Sequence, residues 1–519
     1  MTMRSIRILV GTAVLSLLVS APTFAAEAAA LYREHCAACH GADRFGGIGP
    51  ALLPENLSRL RKPEALQVIA HGRTATQMPG FAANLSAVEI EALRDHVYTE
   101  VSPRPRWDEA QVRASRVVHA DSVQLPHRPA FKADPLNLFV VVETGDHHVT
   151  VLDGDRLEPI ARFQSRFALH GGPKFSPDGR FVYFASRDGW ISKYDLWNLR
   201  MIAEVRAGLN TRNAAVSSDG RYVAVANYLP HSLVILDADL QLVKIMPVSD
   251  HRGHTSSRVS AVYDAAPRKS FVVALKDVKE LWEISYDRNA AEIPVGLVHD
   301  FRAREGTFIP GFLNARRTLL DDYLDDFFFM PAYDTLVGAS RDGARGQVVQ
   351  LDVRRKIASV DIPGMPHLGA GITWKHEGRT VMAAPNLKEA IVTVVDTATW
   401  ETVRRLTTAG PGFFLRSHER TPYAWVDGMM GKHKDTLQVI DKRTLEITGS
   451  VTPSPGKTAA HVEFTRDGRY ALVSVWDHDG ALVVYDAATL REVKRLPMRK
   501  PVGKYNVYNK ITRSEGTSH

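Results

Sequence analysis

The two cysteines of this chain are three positions apart, and the second is followed by histidine: Cys36-Ala37-Ala38-Cys39-His40. That spacing lets two thiols add across the vinyl groups of one haem while the neighbouring imidazole reaches its iron, so the motif predicts one covalently attached haem c. It consumes every cysteine of the chain and leaves none for a disulfide. A second axial ligand is expected downstream. Met78, in Gln77-Met78-Pro79-Gly80-Phe81, is the candidate, because a thioether on a proline-bearing loop is the usual partner that raises a haem potential; His71 and His35 are its rivals.

The elements that must hold this haem are short helices. Ala30, Leu31 and Tyr32 precede the motif at helical spacing, and Ser86-Ala87-Val88-Glu89 forms a capping box before Ile90, Leu93 and Val97. Val101-Ser102-Pro103-Arg104-Pro105-Arg106 then breaks the helix and ends a small all-α cytochrome c domain over residues 26–100. Residues 101–124 read as a linker.

From about Val117 the texture changes to short β-branched and aromatic runs such as Phe139-Val140-Val141-Val142 and Tyr222-Val223-Ala224-Val225, separated by Asp-Gly or proline turns. Phe175-Ser176-Pro177-Asp178-Gly179-Arg180-Phe181, Val216-Ser217-Ser218-Asp219-Gly220-Arg221-Tyr222 and Phe464-Thr465-Arg466-Asp467-Gly468-Arg469-Tyr470 are three copies of one hairpin. The first two lie one propeller-blade length apart, roughly 40 residues, and residues 125–519 have room for roughly eight such blades. The expected architecture is therefore a small all-α cytochrome c domain followed by an all-β eight-bladed propeller.

Several polar residues are ones a propeller does not need. His170 and His367 lie in glycine-flanked loops about half a propeller apart, where two imidazoles meeting across the channel would suit a second tetrapyrrole iron. Arg187 and Arg212 fall at turns of neighbouring blades and could clasp carboxylates bidentately. His461 and Tyr505 offer an imidazole and a phenol for proton handling. Taken one at a time, each of these is equally readable as a turn or core residue.

The first residues, Met-Thr-Met-Arg-Ser-Ile-Arg, lead into an apolar run from Ile8 to Val19 and a small-residue exit at Ala25, the pattern of a secretory signal peptide over residues 1–25. The apolar run falls short of the roughly 20 residues of a membrane span, so a periplasmic protein without stable membrane insertion is expected. The net charge of +7 is scattered among acidic residues, which speaks against nucleic-acid binding and leaves open a locally basic pocket for an acidic ligand.

Signal peptide, cytochrome c and propeller in that order resemble the haem d1 proteins, the group that includes the cytochrome cd1 nitrite reductases. The resemblance covers essentially the whole mature chain. It rests on Leu169-His170 before a Ser-x-Asp-Gly-Arg-Phe hairpin, Arg187-Asp188, Asp195-Leu196-Trp197, Ala207-Gly208-Leu209-Asn210-Thr211-Arg212, Pro366-His367-x-Gly-x-Gly, and Pro501-Val502-Gly503-Lys504-Tyr505-Asn506-Val507-Tyr508-Asn509. By this resemblance His170 would ligate the iron of haem d1 or dihydro-haem d1, His367 would lie opposite it, and Arg187 and Arg212 would anchor d1 carboxylates. The nitrite reductases carry a second distal histidine about forty residues before the Pro-His-x-Gly-x-Gly loop. Here that stretch reads Asp321-Asp322-Tyr323-Leu324-Asp325-Asp326-Phe327-Phe328-Phe329-Met330. No histidine stands there, and His299 is a displaced alternative.

The set His170, His367, His461 and Tyr505 is similar instead to that of the dihydro-haem d1 dehydrogenases of the group. The resemblance implies a periplasmic oxidoreductase that desaturates a propionate of its tetrapyrrole substrate to an acrylate, with His461 and Tyr505 sharing the roles of base and orienter. Electrons would leave through haem c to a periplasmic acceptor. Transient contact with the nitrite reductase and other d1 maturation proteins is implied as well. A nitric-oxide-forming nitrite reductase and a non-catalytic d1 carrier are the alternative readings.

Overall fold

A computed structural model of the chain describes residues 22–46, 49–57, 60–73, 78–102, 105–166, 168–300, 305–339 and 345–517. Most of the expected signal peptide, residues 1–21, lies outside them, as do Gln77 and Phe167. Among the described residues no helix is long and apolar enough to cross a membrane.

The N-terminal domain is built from helices Pro22–His35, Ala37–His40, Pro54–Leu57, Lys62–His71 and Ala87–Val97. Tyr32, Leu57, Leu85, Ile90, Leu93 and Val97 form its core. The capping box forms as expected: Ser86 Oγ accepts from the Glu89 amide and the Glu89 carboxylate accepts from the Ser86 amide at 2.7 Å.

Within the expected linker, residues 101–124, the described residues 105–124 have structure of their own. Helix Glu109–Ala114 buries Val112 completely, and Val117–Val118 adds a fifth strand antiparallel to Arg200–Arg206. Trp107 Nε1 donates to the Arg206 carbonyl at 2.8 Å. Proline flanks concealed these contacts, which are made to a distant blade.

Eight antiparallel blades follow, each ordered from the central channel outward. Blade 1 is closed by the end of the chain: Pro501–Asn506 supplies its innermost strand, paired with Leu138–Glu143. The innermost strands of blades 2 to 8 are Lys174–Phe175, Asn210–Val216, Val259–Ala265, Phe327–Phe329, Ile372–His376, Leu415–Ser417 and Ala459–Phe464. A hairpin, Ile293–Asp300 with Glu305–Ile309, is inserted between the third and fourth strands of blade 4. The repeated Asp-Gly motif has one physical basis in all three copies. Ser176, Ser217 or Thr465 accepts from the amide five residues on, the aspartate accepts from the amide two residues on, and the glycine takes φ near 70°, where a Cβ would be strained.

The cytochrome domain docks on blade 3 through Ala51 and Leu53, which pack against Leu209 and Leu229. Leu209 immediately precedes the strand that carries Arg212.

Candidate functional site

In the N-terminal domain, Cys36 and Cys39 flank the turn of helix Ala37–His40, with both thiols free. His40 is buried and its Nδ1 lies 2.8 Å from the Pro50 carbonyl. Donation there fixes the tautomer and leaves Nε2 as the acceptor for an iron. A Cβ at Gly49 would stand 2.5 Å from the His40 ring, so only glycine leaves that imidazole its place. These residues fit a covalent haem c. Met78 is half-buried on the loop after Lys62–His71, its carbonyl accepting from the Arg73 amide at 3.1 Å. His71 is exposed, and His35 packs edge-on to Phe81 at 6.1 Å.

The propeller residues singled out in the sequence converge on the channel. His170 sits in the loop entering blade 2, and its Nδ1 donates to the Arg212 carbonyl at 2.7 Å. Its Nε2 therefore accepts, and it is met by Arg187 Nη2 at 2.8 Å and Arg212 Nη1 at 3.0 Å. Burial and those two guanidiniums hold its pKa well below the usual histidine range, so the ring is neutral with a lone pair facing the channel. Gly172 brings this loop against Tyr505: a Cβ there would be 3.0 Å from the phenol ring.

His367 lies in the loop entering blade 6. Its Nδ1 donates to the Phe413 carbonyl at 2.6 Å, and its ring lies 4.0 Å from that of Phe413. Burial lowers its pKa, and its charge in turn depresses His170. The two histidines lie in loops at the same end of the propeller, four blades apart, each with Nδ1 tied to a backbone carbonyl.

His461 is on the innermost strand of blade 8, at a bulge where φ is 56°. It is 1% exposed, yet neither ring nitrogen has a hydrogen-bond partner among the described residues. Its ring meets Phe414 edge-on at 4.7 Å and Tyr505 at 5.0 Å. Lys504 Nζ donates to its carbonyl. Burial, then Lys504, Arg416 and Lys510, push its pKa well below the usual value. Burial pushes the Tyr505 phenol up to about 12, which keeps it protonated and able to donate.

Several buried residues of the propeller carry no sequence signal. Lys174 and Lys510 are pushed down by burial to about 8 and about 7, and both line a cavity of about 610 Å³ at the end of the propeller opposite the His170 and His367 loops, which none of His170, His367, His461 and Tyr505 lines. Tyr263 donates to Asp326 at 2.9 Å, and burial drives that phenol well above its ordinary value. Asp326 falls in the stretch where the nitrite reductases would have their second distal histidine, and its charge supports protonation of His367 and Lys174. Arg416, on the innermost strand of blade 7, is 4% exposed. Lone arginines and lysines in β-runs are indistinguishable from surface positions until the blades close. These buried cations suit a tetrapyrrole with several acidic side chains. The backbone of His299 belongs to the blade 4 hairpin, reached from a connection at the end of the blade opposite the loops of His170 and His367.

Comparison with known proteins agrees with this division of the chain. The model of the Cytochrome D1 heme domain family matches residues 133–510, and that of Cytochrome C oxidase, cbb3-type, subunit III matches residues 23–97. A dihydro-heme d1 dehydrogenase of Pseudomonas aeruginosa is 58% identical over 514 residues, 98% of this chain and 100% of that protein. A nitrite reductase of Stutzerimonas stutzeri covers 92% of both chains at 25% identity. Among solved structures, that of "Dihydro-heme d1 dehydrogenase NirN in complex with DHE" superposes with a TM-score of 0.82 at 58% identity, over 93% of this chain and 100% of that one.

Proposed function

The chain belongs to the cytochrome D1 heme domain family, and on that premise we propose that it is a dihydro-haem d1 dehydrogenase of the periplasm, acting in haem d1 biosynthesis. The observation that carries the reading is the His461 imidazole, buried between Phe414 and Tyr505 with two nitrogens unpartnered among the described residues. A buried polar group without partners costs about 1–3 kcal/mol, and a site retains one where a substrate or a proton transfer uses it.

In the reaction a propionate CH2–CH2 becomes CH=CH, releasing two protons and two electrons. His461, neutral, accepts a proton from the side chain. Burial, then Lys504, Arg416 and Lys510, depress its basicity, and substrate carboxylates that neutralise those cations raise the imidazole pKa when substrate is bound. Tyr505, protonated, bounds the other face of that imidazole and orients it. Arg187 and Arg212 turn from His170 to substrate carboxylates, leaving His170 Nε2 for the d1 iron, with His367 opposite. Cys36, Cys39, His40 and Met78 would hold haem c, which supplies a one-electron relay toward a periplasmic acceptor. The docking of Ala51 and Leu53 beside the Arg212 strand supports electron exit by that side. The finished cofactor then passes to the nitrite reductase.

The test is anaerobic loading of the purified haem c protein with dihydro-haem d1, addition of a one-electron oxidant, and mass analysis of the pigment. Loss of two hydrogens is expected. An unchanged mass with transfer to an apo-reductase would leave a carrier, and nitric oxide formation from nitrite at respiratory rates would replace the reading with a reductase.

A further inference from the structure

Arg416 is a buried guanidinium of the channel whose hydrogen bonding is incomplete among the described residues. Its Nη1 is spent on the carbonyl of its neighbour Leu415 at 2.7 Å, and its Nε has no partner. It has no ion pair with any described carboxylate, although Glu463 and Asp427 are near enough to favour its charge. Asp427 is occupied elsewhere through both oxygens and Glu463 through Oε1 alone, its Oε2 having no hydrogen-bond partner among the described residues. Glu463 accepts from Asn509 and the Phe464 amide, and Asp427 accepts from the amides of Phe413 and Phe414. An arginine cannot escape burial by deprotonating, so an unpaired one in the interior is strongly unfavourable unless an anion completes it.

The position of Arg416 says which anion. Its strand, Leu415–Ser417, neighbours the strand of His461, its guanidinium lies 5.9 Å over Phe414, and Phe414 is the ring that flanks His461. Its charge depresses His461 and Tyr505 alike. Arg187 and Arg212 are instead grouped at His170, on blades 2 and 3. A carboxylate held by Arg416 is therefore at the proton-accepting end of the site.

Resting on the dehydrogenase reading, we infer that Arg416 binds the carboxylate of the one propionate that is desaturated, and so selects which side chain reacts. A guanidinium fork on that carboxylate fixes both C–C torsions of the side chain and holds its CH2–CH2 bond against His461. Two C–H bonds break and the C=C π bond forms; one proton goes to His461 and the other to water, and two electrons leave one at a time to the one-electron acceptor that the dehydrogenase reaction already requires. The remaining carboxylates stay with other cations, so Arg416 contributes more to reaction than to retention.

The test compares wild type with Arg416→Gln, Arg416→Lys and Arg416→Met, each carrying haem c. In single-turnover desaturation of bound dihydro-haem d1, Arg416→Gln is expected to lose about 100-fold in rate while its Kd, from absorbance titration, rises by about tenfold. Arg416→Lys restores charge without the fork and should recover affinity but not rate. In the d1-free protein Arg416→Met removes a buried charge that no ion pair holds among the described residues and should leave Tm at or above wild type, while lowering the Tm gained on adding dihydro-haem d1. A wild-type rate in Arg416→Gln, or a d1-free Arg416→Met protein that melts well below wild type, overturns the inference. If wild type binds the pigment but never desaturates it, the dehydrogenase reading fails, and the titration and melting arms still decide whether Arg416 holds a carboxylate.

Discussion

Replacing His461 by alanine separates a proton acceptor from a structural histidine, because the two make opposite demands on stability. The substitution removes edge-on contacts with Phe414 at 4.7 Å and Tyr505 at 5.0 Å, each worth about 0.5–1.5 kcal/mol. It also leaves a cavity costing about 2–3 kcal/mol. Against this, it relieves two buried unpartnered nitrogens, at about 1–3 kcal/mol each. The φ of 56° is equally unfavourable for alanine and histidine, and the backbone contributes nothing to the difference. The d1-free His461→Ala protein should therefore unfold within about 2 kcal/mol of wild type. Loss of a general base should slow desaturation about 10²- to 10⁴-fold, or about 2.7–5.4 kcal/mol in barrier. Urea denaturation gives the first quantity and single-turnover absorbance with mass analysis the second, with d1 affinity checked by titration. A destabilisation above about 4 kcal/mol accompanied by loss of d1 binding would show a structural imidazole, as would a wild-type rate.

Arg187→Gln and Arg212→Gln should each weaken d1 binding about 10- to 100-fold in absorbance titration, the loss of one charge-assisted carboxylate contact. Lys510 and Lys174 titrate near 7 and 8 in the fold against about 10.4 in an unfolded chain. The unfolded state thus binds the extra protons between those values, and stability of the d1-free protein should rise with pH from about 7 to 10. Urea midpoints at pH 7 and 9.5 should show this rise, flattened in the Lys174→Met, Lys510→Met double variant. Gly49→Ala should displace His40 and abolish in-cell haem c attachment, read by haem staining of a denaturing gel. Met78→Ala should lower the haem c midpoint potential while His71→Ala leaves it unchanged, measured by spectroelectrochemistry.

Local chemistry was legible without coordinates. The Cys36–His40 spacing, the Ser86 capping box and the Ser/Thr-x-Asp-Gly hairpins depend on groups within a few residues of one another, and such interactions are written in order along the chain. The count of blades followed from the length of one repeat, and the structure has the eight that length predicts. The contacts of residues 105–124 were not legible because their anchors, Arg206 and blade 2, are about a hundred residues away.

The sequence by itself thus determined a haem-attachment motif, a repeat and a set of polar residues whose grouping rested on resemblance alone. Only the tertiary structure decided that His170 and His367 lie at the same end of the propeller, that His461 lies unpartnered between Phe414 and Tyr505, and that Arg416, Lys174 and Lys510 come near one another. Those residues come from five different blades, the loops that feed them and the C-terminal helix, and ring closure is what brings them together. Burial then turns ordinary side chains into a neutral imidazole, a protonated phenol and an unpaired guanidinium, because solvation is a property of the closed fold and not of any stretch of sequence.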